Sequence, residues 1–301
     1  MLERFPGEIA ALTTALCWTI TALSFEAAGK RVGSLVVNFL RLVLGLLFLS
    51  LFTLVTRGLL LPFDASFHAW LWLGLSGIVG FVIGDLFLFK AFVLIGSRIS
   101  MLIMSLVPPL TAVCAWLIMG ETISTLGLTG MALTILGIMI VILKRRDNTR
   151  AGSMSMWLSG IGCALVGAVG QAVGLVLSKY GMADYNAFAS TQIRIIAGII
   201  GFILVFSLRA RWHSLGASFR NRQAFMFITL GSVFGPFLGV AFSLLAVQFT
   251  QAGIAATIIA LVPIFIILPS IVLFHEKIHL RDVIGTLIAV TGVALLFLRI
   301  S

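Results

Sequence analysis

The sequence predicts an all-α polytopic membrane protein, with ten transmembrane helices arranged as two inverted five-helix repeats. Three observations predict it. The chain of 301 residues is 60% apolar and only 10% charged, with a mean hydropathy of +1.19. A soluble domain has no use for so much apolar surface, whereas a polytopic membrane protein does. Its apolar runs are continuous and about 20 residues long, the length a helix needs to cross about 30 Å of hydrocarbon. Finally, residues 69–143 shifted by 155 fall on 224–298 without a gap.

The spans read in order as 8–28, 35–56, 69–94, 99–119, 125–143, 156–178, 188–208, 223–248, 253–274 and 281–299. None alternates apolar and polar residues, which excludes a β-barrel. The N-terminal run lacks a short apolar core followed by a cleavage site, so it is expected to be a retained helix. The polar segment from Lys144 to Arg150 links the halves, giving expected repeats of 1–146 and 147–301.

In the repeat, Gly80 falls on Gly235, Gly84 on Gly239, Pro108 on Pro263, Glu121 on Glu276, Gly130 on Gly285 and Gly137 on Gly292. Upstream the offset shifts slightly, pairing Lys30 with Lys179 and Arg41 with Arg194. Five spans per half is odd, so the second half must enter the membrane from the opposite side. Inverted repeats of this kind commonly build secondary transporters, with a substrate site near the midplane between the halves.

Charge and cysteine exclude several classes. The net charge of +10 comes from Lys and Arg lying mostly between the spans, where they set topology and meet anionic headgroups. Nucleic acid is therefore not an expected partner; the lipid bilayer is. Counting basic loop residues on alternate sides gives one basic face and one sparse face, which places both termini outside the cytoplasm. Cys17, Cys114 and Cys163 all lie in apolar spans without metal-ligand spacing, so neither a disulfide nor a metal site is expected. No Gly-x-x-x-x-Gly-Lys loop occurs, and no cofactor is expected. A membrane enzyme lacks a Ser/His/Asp set or clustered carboxylates, so no enzymatic activity is expected.

Ionisable groups inside a membrane are costly unless paired or wet, which makes the few here candidates for function. Arg41 and Arg194 lie about 9 Å into their helices at 1.5 Å per residue. They either anchor helix ends or face the cavity and hold a carboxylate or phosphate. Asp85 is expected to meet Arg41 or another polar group, and is the first proton-coupling candidate; Glu26 is the second. Trp18, Gln171, Gln192 and Gln248 are candidate substrate contacts. Pro108 and Pro263 remove backbone hydrogen bonds and are candidate hinges. Gly80, Gly84, Gly235 and Gly239 put small residues on one face for close helix approach.

Two five-helix repeats, each with an Arg early in its second helix (Arg41, Arg194), a Pro in its fourth (Pro108, Pro263) and a Glu just after it (Glu121, Glu276), resemble the drug/metabolite transporter superfamily, in its EamA-like branch of permeases. The resemblance implies export of a small polar metabolite such as an amino acid across a bacterial cytoplasmic membrane. Exchange of anionic metabolites resembling sugar phosphates or nucleotide sugars is the alternative; a non-transporting membrane scaffold is another. It also implies termini in the cytoplasm, against the charge count.

Overall fold

The computed structural model describes residues 6–119, 124–147, 151–249, 258–276 and 278–297. Among them, all regular structure is helical. Among the described residues, eight helices are long and apolar enough to cross a membrane. We label the helical elements α1 (Pro6–Val32), α2 (Ser34–Arg57), α3 (Phe67–Ile95), α4 (Ser97–Ile103 continuing through Met104–Leu106 into Val107–Met119), α5 (Thr125–Asp147), α6 (Ala151–Met182), α7 (Ala187–Leu208), α8 (Arg222–Ser232 continuing through Val233–Gly239 into Val240–Phe249), α9 (Val262–Phe274) and α10 (Leu280–Phe297). A short helix, His213–Arg220, lies between α7 and α8. The chain is an integral, multi-pass membrane protein. Glu121 lies outside the described residues, as do the side chains of the linker from Lys144 to Arg150.

Local chemistry sets the ends of these helices. Gly33 and Gly96 are single-residue joints between α1 and α2 and between α3 and α4, with φ of 85° and 83°. Only glycine adopts that backbone without a Cβ penalty. Ser66, Asn186 and Asn221 cap α3, α7 and α8 by accepting hydrogen bonds from the first-turn N–H groups of Ala69, of Phe188 and Ala189, and of Ala224. Between α2 and α3, Arg57 pairs with Asp64 at 2.6 Å, and Tyr185 donates to the same carboxylate at 2.7 Å. The Tyr185 hydroxyl, with help from Arg57, holds the Asp64 carboxyl below its usual range.

The packing follows the internal repeat. Helices α5 and α10 run antiparallel with backbones in contact. A Cβ on Gly137 would strike the backbone of Gly285 and Ala289, and one on Gly292 would strike Gly130 and Thr134. These two sets exchange when 155 is added or subtracted. Thr134 Oγ1 also donates to the Ala289 carbonyl at 3.3 Å, a residue bonded to its own repeat image. That is the geometry on a two-fold axis, and two antiparallel helices meet that way only if the axis crosses them. A second pair of images repeats the pattern. Gly45 of α2 receives Pro236 of α8, while Gly198 of α7 receives Phe81 of α3.

The third seam breaks the symmetry. On α3, Gly80 and Gly84 meet the backbones of Gly174 and Gly170 of α6, as the small-residue pattern implies. On α8, Gly235 and Gly239 receive the side chains of Thr21 and Trp18 from α1, and Gly231 receives the Phe25 ring. At α3 the glycines thus face backbone, and at α8 they face side chains. The reason is that α1 carries bulky residues where α6 carries glycine, so the glycines of α8 serve as sockets.

The helices are also less regular than expected. Ile78–Gly84 in α3 and Val233–Gly239 in α8 are wide π turns, and adding 155 maps one onto the other. Pro108 lies just past the tight Met104–Leu106 turn and Pro263 opens Val262–Phe265; each sits in the first turn of its helical segment, where a missing N–H costs least. In α4 the tight turn precedes Pro108, whereas in α9 the short segment holding Pro263 is flanked by turns on both sides, at Ala260 and Leu261 and again at Ile266.

The α5–α10 seam generates a prediction. Gly137→Ala and Gly292→Ala should each lower the thermal midpoint in detergent, since overpacking a tight contact costs ~1–3 kcal/mol. Gly162→Ala, with nothing within 4 Å of the added methyl, should not lower it. Unchanged midpoints for both seam variants would contradict the packing described.

Candidate functional site

The buried charges gather around one aromatic ring, Phe81, in the π turn of α3. Arg41 of α2 is 5% exposed and forms an ion pair with Asp85, itself 4% exposed. Asp85 directly follows the π turn, which sets the direction of its side chain. Gln171 of α6 donates to Asp85 Oδ1 at 2.6 Å and to the Gly80 carbonyl at 3.2 Å. Asn38 donates to the Asp85 carbonyl at 3.0 Å and accepts from Arg41 Nε at 3.2 Å. Such saturation is what a buried carboxylate requires to remain charged.

Arg194 of α7 enters the same region from the other half. It is 5% exposed, and its guanidinium stacks on Phe81 at 4.6 Å from the ring centre. Arg41 touches the same ring at 5.5 Å and Phe89 at 4.6 Å. Arg194 is near enough to feel the Asp85 charge but forms no ion pair among the described residues, and its Nε has no hydrogen-bond partner. The cluster thus holds two guanidinium groups and one carboxylate, an excess of one positive charge. A cation–π contact supplies about 0.5–2 kcal/mol, well short of the several kcal/mol that desolvating an ion costs.

The other expected residues fall in different places. Trp18 is half-buried beside Gly239, on the α1–α8 seam. Gln192 is fully buried, and its amide donates to Ser50, Thr53 and the Leu60 carbonyl, tying α7 to the end of α2. It lies on a different network from the arginines. The side chain of Gln248 lies outside the described residues. Lys90 is exposed.

Glu26 is fully buried and belongs to a second ionic group at the basic face. It pairs with Lys30 and accepts from the Ser97 N–H at 2.6 Å. Nearby, Arg98 of the first half reaches Glu276 at 2.7 Å and Asp282 at 3.4 Å in the second. A cavity of about 310 Å³ is lined by Glu26, Lys30, Gly96, Trp157 and Glu276 among others. Helix-end preference alone assigns Glu276 to its own helix terminus; here it instead bridges the halves. No sequence pattern announces that link, because Arg98 has no charged image at Gly253.

The two-repeat architecture of apolar helices has a counterpart among known families. The family model described as "EamA-like transporter family" matches twice, over residues 5–143 and 158–298. The chain belongs to that family. An "Uncharacterized transporter" of Archaeoglobus fulgidus is 23% identical over 219 residues, covering 72% of this chain and 74% of the relative. A crystal structure of another protein, 18% identical, superposes with a TM-score of 0.65 over 96% of each chain, which shows a shared fold. This EamA-like protein is a membrane transporter, in a family defined by transport rather than by enzymatic chemistry.

The ion pair generates a prediction about stability. Removing one partner of a buried pair costs ~3–5 kcal/mol, whereas replacing both with apolar groups is often near neutral. Asp85→Leu alone should therefore lower the thermal midpoint more than Arg41→Leu combined with Asp85→Leu. Equal losses from the single and double variants would contradict a coupled pair.

Proposed function

We propose that this EamA-like protein is a secondary active transporter that moves a small polar solute bearing one anionic group, such as an amino acid, by alternating access. Ten spans in two inverted halves, 1–146 and 147–301, surround the site, and the protein exports its solute across a bacterial cytoplasmic membrane. The observation that carries the reading is Arg194, a buried cation with an unpartnered Nε beside an Arg41 that already has its carboxylate. A solute carboxylate arriving at Arg194 supplies the missing charge and accepts two hydrogen bonds in the bidentate geometry that guanidinium favours. Gln171 and Trp18 border the solute, Gln171 with a polar amide and Trp18 with an aromatic wall. Gln192 serves packing through its bonds to α2.

An exchanger of anionic metabolites is the second reading, favoured by the same excess of positive charge. The two differ in net solute charge: a zwitterion carries an amine that must also be accommodated, and an anion does not. A non-transporting scaffold would have no use for an unpaired buried arginine, whose desolvation goes uncompensated.

Purified protein in proteoliposomes loaded with amino acids or with sugar phosphates tests this. Counterflow of one of these solute classes is expected, with Arg194→Gln reducing it at least tenfold, the loss of one charge-assisted interaction of about 1.5–3 kcal/mol. Arg194→Lys should recover part of the flux, since it restores charge without the planar fork. Undiminished counterflow in Arg194→Gln would contradict the assignment.

A further inference from the structure

Asp85 has no counterpart in the second half. Its image is Val240, while the image of its partner Arg41 is Arg194, which keeps its charge. The surrounding donors are one-sided too: Gln171 has Ala22 as its image and Asn38 has Thr191. The two arginines consequently behave differently. Arg41 turns to α3 of its own half and pairs with Asp85, whereas Arg194 turns away from its own α8 and lies against Gly80 and Phe81 of the opposite half.

In a transporter of inverted repeats, each half adopts in one facing state the geometry the other half has in the opposite state. Applied here, that exchange puts Arg41 relative to Asp85 where Arg194 now stands relative to Val240: turned away, toward the other half. Arg194 turns back to α8, where only Val240 awaits it. The Asp85 carboxylate then loses its ion pair in either case. A buried carboxylate without a counter-ion does not persist as an anion; it takes up a proton.

We infer that Asp85 is a one-sided lock: its pair with Arg41 holds the conformation seen here, and the transition to the opposite-facing state frees the carboxylate, which binds one proton from the aqueous phase open in that state. On return the O–H bond breaks, the proton passes to water of the aqueous phase open in the conformation seen here, and the pair of the Asp85 carboxylate with Arg41 re-forms. This rests on the alternating-access reading above and adds to it the group that couples the proton. The other charged or polar groups facing Asp85 are Arg194 on α7, Gln171 on α6 and Asn38 on α2. On α3 itself Lys90 is exposed, and on α1 Glu26 is engaged by Lys30 and the Ser97 N–H. None of them replaces Arg41 as the counter-ion when the half-to-half exchange has occurred.

The lock predicts an effect that a merely structural ion pair does not. Moving the carboxylate to its image position, Asp85→Val with Val240→Asp, stabilises the opposite-facing state by the symmetric pair with Arg194. Facing is read by labelling single cysteines, placed toward the interior near either end, with a membrane-impermeant maleimide; the background replaces Cys17, Cys114 and Cys163 by Ala. The expected result is an inverted ratio of labelling between the two ends. The wild-type ratio should also shift toward that of the relocated variant as pH falls, because protons stabilise the state with the free carboxylate, and Asp85→Asn should remove this pH dependence. If the relocated variant does not fold, the pH arm decides alone. A wild-type protein that moves solute while its ratio ignores pH, or a folded relocated variant that labels like wild type, overturns the lock and leaves the transporter reading intact. A protein that moves no solute and labels at one end under every condition overturns both.

Discussion

Two guanidinium groups and one carboxylate share one buried site, and the rest of the structure is arranged around that imbalance. An ion in a low-dielectric interior is tolerable only with a partner and with its hydrogen bonds satisfied. The protein meets both conditions for Arg41, through Asp85, Asn38 and Gln171. For Arg194 it provides the face of Phe81 and the more distant charge of Asp85, with no ion pair among the described residues and no partner for Nε. A group kept at 5% exposure with no ion pair among the described residues leaves the cluster one negative charge short, and the solute proposed above brings that charge.

The backbone makes the arrangement possible. The π turn over Ile78–Gly84 ends directly before Asp85, and the glycines within it let α6 approach until Gln171 reaches both the carboxylate and the Gly80 carbonyl. A Cβ at Gly174 of α6 would sit 3.0 Å from the Gly80 Cα, and Arg194 Nη2 lies on the same side of Gly80. The matching π turn in α8 contains Pro236, which fills the socket at Gly45. One half therefore uses its wide turn to present charge, and the other uses it to pack. At the basic face, Arg98 bound to Glu276 and Asp282 joins the halves outside the charged core.

Much of this was legible in the sequence, for physical reasons that differ by feature. The gapless offset of 155 fixed which helices must be images, because glycine and proline positions are dictated by close contacts; Thr134 bonded to the Ala289 carbonyl bears out that register. That Asp85 would meet Arg41 or another polar group followed from the cost of leaving a buried charge alone; which of these it meets did not. The π turns did not follow, since a shifted backbone hydrogen bond leaves little trace in side-chain pattern. Nor did the sockets on α8: Gly235 and Gly239 read as close-approach glycines until α1 is known to carry Thr21 and Trp18 opposite them. The attachment of Gln192 to α2, and the bridge from Arg98 to Glu276, depend on which helices become neighbours, which no local spacing encodes.

The central claim is that the site is short of one negative charge and that Arg194 is where it is missing. Ligands that bind the native state raise its apparent stability, so a thermal-shift titration of purified protein tests the claim without presupposing direction or coupling. The panel contains small solutes matched in size and differing in charge: carboxylates, zwitterionic amino acids and the corresponding amines. The account predicts that solutes carrying a carboxylate raise the midpoint, that amines lacking one do not, and that Arg194→Gln abolishes the rise. Stabilisation by the amines alone, or a rise that survives Arg194→Gln undiminished, would contradict it.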